Sequence, residues 1–394
     1  PQIDFAAVMD HVRSVIAAIA PNDSVERFEG LGVAVIRAAG AFVGPRKVRA
    51  GDFEVSAKHF VIATGSSPVV PPIPGLDGVS YLTNETIFNN RVRPGRLLVL
   101  GGGPIGVELA QAHRRLGADV TLIEADTILN NEDEDAVAVV RERLKREGLT
   151  LRENAKAVHA AQSNGIVRLT LDDGSIVEGS HLLVAVGRRA NLAGLGLEKA
   201  GIDFDGNRLR LDARLRTSNK RVYAIGDAAG GLQFTHVAGD HASTIVRNIL
   251  FKAPAKRRDA LAPRVTYCDP EVASVGLSAS EAGKRGEKFS VARWSLTDND
   301  RAQTERNTEG FIKAVIGKGG RILGATIVGE GAGDLIAIWA FAVANNLRIR
   351  AFTNMIAAYP TRSEISKRAA GAYYTPALFS ERTRKLVGLL SKFN

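Results

Sequence analysis

Leu97-Leu98-Val99-Leu100-Gly101-Gly102-Gly103-Pro104-Ile105-Gly106-Val107-Glu108-Leu109-Ala110 runs from a short apolar stretch through three glycines into a helical pattern. The spacing G-x-G-x-x-G falls on Gly101, Gly103 and Gly106, between a strand and a helix, which is the context in which that spacing has a mechanism. Gly101 permits a tight turn. Gly103 lets backbone N–H groups approach a pyrophosphate, and Gly106 lets the helix pack close to the strand. A diphosphate would then meet the helix N-terminus, where the dipole and unbonded N–H groups favour negative charge. Pro104 and Ile105 lie inside the motif and are counted with its binding residues.

Glu124 ends the next strand pattern, Val120 to Ile123, and lies 18 residues beyond Gly106. A carboxylate there accepts both ribose hydroxyls of NAD and repels the 2′-phosphate of NADP. Hydrogen bonds to a charged acceptor contribute about 1.5–3 kcal/mol, so the preference is expected to exceed about tenfold. Arg114 and Arg115, on the intervening helix, leave some tolerance of NADP open.

Outward from this unit, Phe5, Val8, Met9, Val12, Val15, Ile16 and Ile19 recur at helical spacing, and Pro21 stops the run. Val33 to Ile36, Lys47 to Val55 and Phe60 to Ala63 read as strands. Ser66 to Gly78 is a proline-rich extended connector. Val137, Val140 and Leu144 mark a helix ended by Gly148, and Ile166 to Val177 a hairpin around Asp172-Asp173-Gly174. Arg168 to Arg189 repeats the organisation of Lys47 to Ser67: hairpin, short link, apolar strand, then a small residue and a glycine. The later copy closes the domain opened at Gly101. The earlier copy closes at Gly65, so its own opening loop is expected before residue 1. Further on, Asp240 to Phe251 is helical, and Ser278 to Glu281 is a capping box opening another helix. Phe311 to Ile316 and Ile322 to Val328 are strands joined at Gly319-Gly320, followed by an apolar helix from Asp334 to Asn345.

The 394 residues are 45% hydrophobic and 24% charged, which excludes a disordered or fibrous chain. The net charge of +10 is read as excess surface charge. Basic and aromatic residues are not interleaved as single-stranded nucleic acids require, so no nucleic acid partner is expected. The longest apolar run, Leu335 to Ala344, is ten residues and too short to span a bilayer. One cysteine, Cys268, excludes an internal disulfide and a cysteine-rich metal cluster, and no metal site is expected. A cytoplasmic location is expected, with no membrane partner. The chain opens on Pro1, not Met, so preceding residues are expected.

Several motifs occur in a fixed order: Ala63-Thr64-Gly65, the Gly101 loop, Val186-Gly187-Arg188-Arg189-Ala190-Asn191 and Tyr223-Ala224-Ile225-Gly226-Asp227. Asp269-Pro270-Glu271, Val275-Gly276-Leu277 and Tyr359-Pro360-Thr361 with Glu364 complete the series. In this the chain resembles the pyridine nucleotide–disulfide oxidoreductases, and within them the dihydrolipoamide dehydrogenase and mercuric reductase-like branch. The resemblance implies an α/β fold with tandem Rossmann-like FAD- and NAD(P)-binding domains, the first incomplete, and an α+β C-terminal dimerisation domain. The corresponding ranges are 1–93, 94–190, 191–262 (returning to the FAD site) and 263–394 (with a basic tail). It also implies FAD and NAD as cofactors, a homodimer, and a small-molecule electron acceptor. Thr64 and Gly65 would lie near the flavin, and Gly226 and Asp227 would hold its ribityl chain. Ala238 would border the flavin, and Gly187 would close the NAD site. Glu108 matches the acidic partner of a flavin-side lysine, which belongs to the segment before residue 1. His236 is read as structural.

Two departures from the family pattern bear on the chemistry. The family's redox disulfide and first glycine-rich loop lie in a first segment, at least one strand–helix–strand unit of about 30 residues, that is outside these residues. The 394 residues by themselves are therefore expected to hold FAD poorly and to be inactive. Cys268 does not substitute and is read as a buried structural thiol. The second departure is Tyr359, which stands where disulfide-reducing members place a histidine paired with a glutamate, here Glu364. A phenol of pKa about 10 is a poor base near pH 7, where imidazole is well matched. Mercuric reductase-like relatives tolerate a non-histidine here, yet their C-terminal cysteine pair is absent too. Thr361-x-x-Glu364 also reads as a capping box. The tail carries Tyr373, Tyr374, Leu378 and Phe379 before Arg382, Arg384 and Lys385, and is expected to pack on the dimer partner.

The function expected is hydride transfer from NADH to FAD and on to a disulfide, dithiol or metal thiolate. The alternatives are a disulfide-free flavoprotein serving another nicotinamide, a quinone or oxygen, and a non-catalytic dinucleotide-binding dimer.

Overall fold

The computed structural model describes residues 3–393; Pro1, Gln2 and Asn394 lie outside the described residues. The chain forms two compact units, one made of the residues up to Gly101 with Leu116–Asp119 and Ala157–Asp259, the other of Gly102–Arg115, Val120–Lys156 and Ala260 onward.

In the first unit the opening helix spans Phe5–Ile19, with the Asp4 carboxylate accepting the Ala7 N–H as its N-cap. Pro21 ends it by leading a 3-10 turn, Ala20–Asp23, and a short helix, Val25–Gly30, follows. Val33 to Ile36 is not a strand: the Val33 N–H is taken by the Phe28 carbonyl as this helix closes. Lys47 to Val55 is two strands, Lys47–Ala50 and Phe53–Ser56, because Gly51 turns the chain with φ +58°.

The internal repeat is real at the level of hydrogen bonding. Gly40–Gly44, Lys47–Ala50 and Phe53–Ser56 form one three-stranded antiparallel sheet, and Ala157–Ser163, Ile166–Leu171 and Ile176–Gly179 form another. Each sheet leads into a short strand in a parallel pair. Phe60–Ile62 pairs with Val222–Ala224, and His181–Val184 with Arg96–Leu100. After these strands the connector Ser66–Pro68 pairs antiparallel with Arg188–Ala190. The unit's core gathers Phe42, Ile62, Leu197, Ile202, Leu215, Val222, Tyr223 and Ile245. Ile245 comes from the helix Thr235–Ile249. That helix starts at Thr235, five residues before the expected start at Asp240, and its first turn already buries Val237.

The second unit contains the helix Pro104–Arg115, the helix Glu134–Arg146, and the parallel strands Asp119–Ile123 and Thr150–Arg152. Its other part is a five-stranded antiparallel sheet in the order Arg264–Thr266, Glu271–Gly276, Ile322–Gly329, Phe311–Gly317, Phe289–Ser295. Every residue of the central strand Ile322–Gly329 is buried, as a strand covered on both faces requires. The capping box at Ser278 and Glu281 forms as read from the sequence. Helices Ala332–Ala344, Arg350–Asn354 and Glu364–Leu378 contribute Ile336, Trp339, Phe352, Ile365 and Ala369 to the core of this sheet. Tyr373 and Tyr374 pack against that core. Phe379, Leu386, Val387, Leu389 and Leu390 of the tail remain exposed.

The Thr361-x-x-Glu364 capping box does not form. The helix begins at Glu364 itself, its N-cap is Ser363 without a side-chain cap bond, and the Thr361 hydroxyl donates to the Ala358 carbonyl. Glu364 is thus a first-turn residue, bonded to Arg368 one turn on.

Trp339 anchors the second unit. It is 0% exposed, its ring lies 4.1 Å from that of Phe352, and its Nε1–H donates to Ser366 Oγ at 2.9 Å. Trp339→Ala removes the largest fully buried side chain and strands the Ser366 hydroxyl. It is expected to cost about 3–5 kcal/mol in chemical denaturation followed by near-ultraviolet circular dichroism. A loss below about 1 kcal/mol would show that the packing there is not what holds the sheet and helices together.

Candidate functional site

The glycine loop is built so that only glycine fits at its first two positions. Gly101 has φ +109°, and a Cβ there would sit 2.5 Å from the Ala185 carbonyl oxygen. A Cβ on Gly102 would meet Ile128 Cγ2 at 2.9 Å and the Glu124 side chain at 3.0 Å. Around Gly103 no atom lies within 4 Å of a built Cβ, so its backbone faces open space. The helix follows at once from Pro104, and its first-turn N–H groups have no intrahelical acceptor. Gly106 is buried. This is a bare backbone cradle at a helix N-terminus, and it fits a pyrophosphate.

Glu124 is already engaged with this loop. Its Oε2 accepts the Gly102 N–H at 2.6 Å and its Oε1 the Asp126 N–H at 3.0 Å. Each carboxylate oxygen keeps a further lone pair, so the group is aimed by the backbone and still has capacity for two hydroxyls. The two arginines considered at the sequence level are committed elsewhere. Arg114 Nε donates to the Glu147 carbonyl at 2.9 Å, and Arg115 bridges Glu147 and Asp269 at 2.6 and 2.7 Å.

In the first unit, Thr64, Gly65 and Asp227 are drawn into one constellation. Thr64 Oγ1 donates to the Asn191 carbonyl at 2.7 Å, Asn191 Nδ2 donates to the Thr64 carbonyl at 3.1 Å, and the Asn191 N–H donates to the Gly65 carbonyl at 3.0 Å. Ser66 Oγ donates to Asp227 Oδ2 at 2.5 Å. Arg188 closes the group, giving Nε to Ser66 Oγ and Nη2 to the Ser66 carbonyl, both at 2.7 Å. Its guanidinium stands 3.9 Å from the Asp227 carboxylate. Asp227 therefore has one oxygen tied and the other available to a ligand hydroxyl, which fits the ribityl chain of FAD. Ser66 and Arg188 were given no role from the sequence. The signal was the pairing of two connectors far apart in the chain, which no local pattern carries.

Gly226, just before Asp227, turns with φ +58°, and a Cβ there would touch Ala238 Cβ at 3.1 Å. Its N–H donates to His241 Nδ1 at 3.2 Å, and His241 Nε2 bonds Asp259 at 2.9 Å. His241 is 0% exposed, so the glycine N–H on one side and the carboxylate on the other fix its ring as the Nε2–H tautomer. Burial pushes the Asp259 carboxyl up, but hydrogen bonds from His241 and Arg257 outweigh it and hold the group below its usual range. His236, at the start of the same helix, stacks on Phe234 with centroids 5.2 Å apart. Gly187, with φ +132°, accepts the Val69 N–H at 2.9 Å through its carbonyl.

In the second unit, Glu108 Oε1 accepts the Tyr267 N–H at 2.8 Å. Burial raises its carboxyl above the ordinary range, and the amide bond offsets part of that. Cys268, the next residue, is 3% exposed and lies between two strands, not within one. Burial first, and then the Glu108 charge, pushes its thiol up to about 12. Tyr359 is 68% exposed, and its hydroxyl donates to Asp300 Oδ2 at 2.8 Å. That bond and the Asp300 charge raise the phenol above its ordinary value. Glu364 accepts from Arg368, while the Tyr359 hydroxyl spends its proton on Asp300 and not on Glu364. Among the described residues no group of His, Cys, Asp and Glu is placed to hold a metal.

Residues 8–242 match the family described as pyridine nucleotide-disulphide oxidoreductase, and residues 262–370 match that family's dimerisation domain. A mercuric reductase of Streptomyces lividans is 33% identical over 383 residues, covering 95% of this chain and 81% of that protein. A dihydrolipoyl dehydrogenase of Thermus scotoductus is 36% identical over 372 residues, 89% of this chain and 77% of its own. The crystal structure of LpdA from Mycobacterium tuberculosis superposes with a TM-score of 0.87 at 29% identity, over 94% of this chain and 84% of that one.

The Cys268 environment gives a direct test. A thiol raised to about 12 is protonated at pH 8, and the thiolate is the reactive form. Cys268 is expected to resist a maleimide in the folded protein at pH 8 and to label fully in guanidinium. Rapid labelling of the folded protein would contradict this burial.

Proposed function

The chain belongs to the pyridine nucleotide-disulphide oxidoreductase family of FAD-dependent enzymes, and from that premise we propose that it carries electrons from NADH through FAD to a metal–thiolate acceptor in preference to a lipoamide-type disulfide. FAD, when bound, takes hydride from the nicotinamide and passes on the electron pair. The residues of this chain bind and aim the two dinucleotides and set what the acceptor side can do with protons.

On the nicotinamide side, Gly101, Gly103, Ile105 and Gly106 offer backbone N–H groups to the pyrophosphate, Pro104 without an N–H starts the helix beneath it, and Glu124 takes the ribose diol. Gly187 is assigned to nicotinamide binding by its family position. On the flavin side, Thr64, Gly65, Gly226, Asp227 and Ala238 hold the cofactor, with Asp227 accepting from ribityl hydroxyls. Glu108 is the acidic partner of a flavin-side lysine by family position, and such a lysine would offset the burial that raises its carboxyl. The match to a dimerisation domain supports a homodimer. No helix among the described residues is long and apolar enough to cross a membrane.

The observation that carries the choice of acceptor is Tyr359 bonded to Asp300. Reducing a disulfide to a dithiol, or the reverse, needs a group that gains and loses a proton near pH 7. Histidine does so, with an ordinary pKa of about 6.5. The Tyr359 phenol does not, because Asp300 favours its protonated form at every pH below that raised value. A metal held by thiolates accepts electrons with less proton relay, and mercuric reductase is the name of several relatives.

A second reading takes the same Tyr359–Asp300 bond as the mark of a flavoprotein that does not reduce disulfides and serves a quinone, oxygen or another nicotinamide. Turnover with a soluble quinone that exceeds turnover with mercuric ion in excess thiol would select it.

Two outcomes are expected from variants of the FAD-loaded dimer. Glu124→Ala should weaken NADH binding by about tenfold or more and NADPH binding much less, measured by fluorescence titration. Equal losses would remove the ribose role. Tyr359→His should raise lipoamide reduction at least about tenfold and introduce an ionisation near pH 6–7 into its pH profile, which the parent lacks. Efficient lipoamide turnover by the parent, or an unchanged profile in the variant, would overturn the acceptor assignment.

A further inference from the structure

A cavity of about 390 Å³ opens in the first unit, and no residue given a role in dinucleotide binding lines it. Three segments build its wall. The helix Thr235–Ile249 supplies Asp240, Thr244 and Arg247, the stretch after it supplies Lys256 and Arg258, and Arg214 comes from an earlier turn. These segments are tied to one another. Asn248 donates from Nδ2 to the Ala255 carbonyl at 2.9 Å and accepts the Ala255 N–H at 3.1 Å, and the Arg257 N–H donates to the Ala213 carbonyl at 2.9 Å. Thr244 and Ala255, which line the cavity, are buried, and the exposed side chains of Arg214, Arg247, Lys256 and Arg258 stand around them.

The charge balance is one-sided. Four cations, Arg214, Arg247, Lys256 and Arg258, face one carboxylate, Asp240, which is paired with Arg258. Among the described residues no carboxylate pairs with Arg214, Arg247 or Lys256. Arg247 alone would be an ordinary last-turn residue complementing the helix dipole. Arg214 and Lys256 have no such role, and they arrive from different parts of the chain. Converging like charges around a concave surface is unfavourable without a counter-ion and focuses positive potential into the cavity.

We propose that this cavity is a binding site for a small phosphorylated molecule carrying two or more negative charges. Guanidinium forks match phosphate oxygens in geometry, and Lys256 adds a point charge. The Thr244 and Ser243 hydroxyls offer further polar contacts, and Pro254 with Ala255 gives apolar surface to the organic part. The volume lies in the range of small-molecule sites and exceeds what a halide would fill. The site is independent of the electron-transfer reading.

Isothermal titration of inorganic pyrophosphate and of adenosine monophosphate into the FAD-loaded protein, at fixed ionic strength and with saturating NAD, tests this. One saturable site per chain is expected. Affinity should fall at least about tenfold in Arg247→Ala and in Lys256→Ala, and should not change in Arg321→Ala, an exposed cation of the other unit. Lys256→Arg should retain binding. The proposal is overturned if neither probe binds, if the cavity variants bind like the parent, if Arg321→Ala loses as much, or if NAD or FAD competes with the probe. The last result would assign the signal to the dinucleotide sites.

Discussion

Arg188 holds together the point where the chain leaves for its long excursion after Pro68 and where it returns. The strands that meet there, Ser66–Pro68 and Arg188–Ala190, are three residues each. A pair so short is not stable by its own ladder, and closing a long loop costs entropy that grows with the logarithm of its length. The guanidinium offsets this by bonding the hydroxyl and carbonyl of Ser66 and the side chain of Asn84. Ser66 then spends its proton on Asp227. The clasp that closes the chain is therefore also the clasp that aims the Asp227 carboxylate.

The buried His241 extends the same logic. Gly226 and Asp227 form a tight turn with a positive φ, and the turn's N–H is held from behind by a ring that is itself held by Asp259. Buried polar groups of this kind stabilise only when each is satisfied, and here each is. The glycine loop at Gly101 uses a different device. Its loop presents bare backbone, and Glu124 is oriented by that same backbone. Polar side chains thus set the Asp227 carboxylate, and main chain sets the Glu124 carboxylate.

Much of this was legible in the sequence where the signal was local. The glycine loop, the hairpin around Asp173 and Gly174, the repeated meander and the capping box at Ser278 each depend on residues a few positions apart. The misreadings have the opposite character. Val33 to Ile36 is an apolar run rich in β-branched residues, like a strand, but a strand needs a partner, and the Val33 amide is spent closing a helix. Thr361 and Glu364 have capping-box spacing, but the helix starts later than that spacing assumes. Ser66 and Arg188 were invisible because their partners are far away in sequence. Tyr359 was legible as a departure from pattern, while its bond to Asp300, which sets its proton chemistry, was not.

Hydride delivery from NADH to bound FAD is the reaction proposed for this fold. The most direct measurement is the visible spectrum of the FAD-loaded protein, freed of unbound cofactor, before and after anaerobic addition of NADH. Bleaching of the flavin band is the result the account expects. An oxidised flavin spectrum that persists while NADH is demonstrably bound would contradict it.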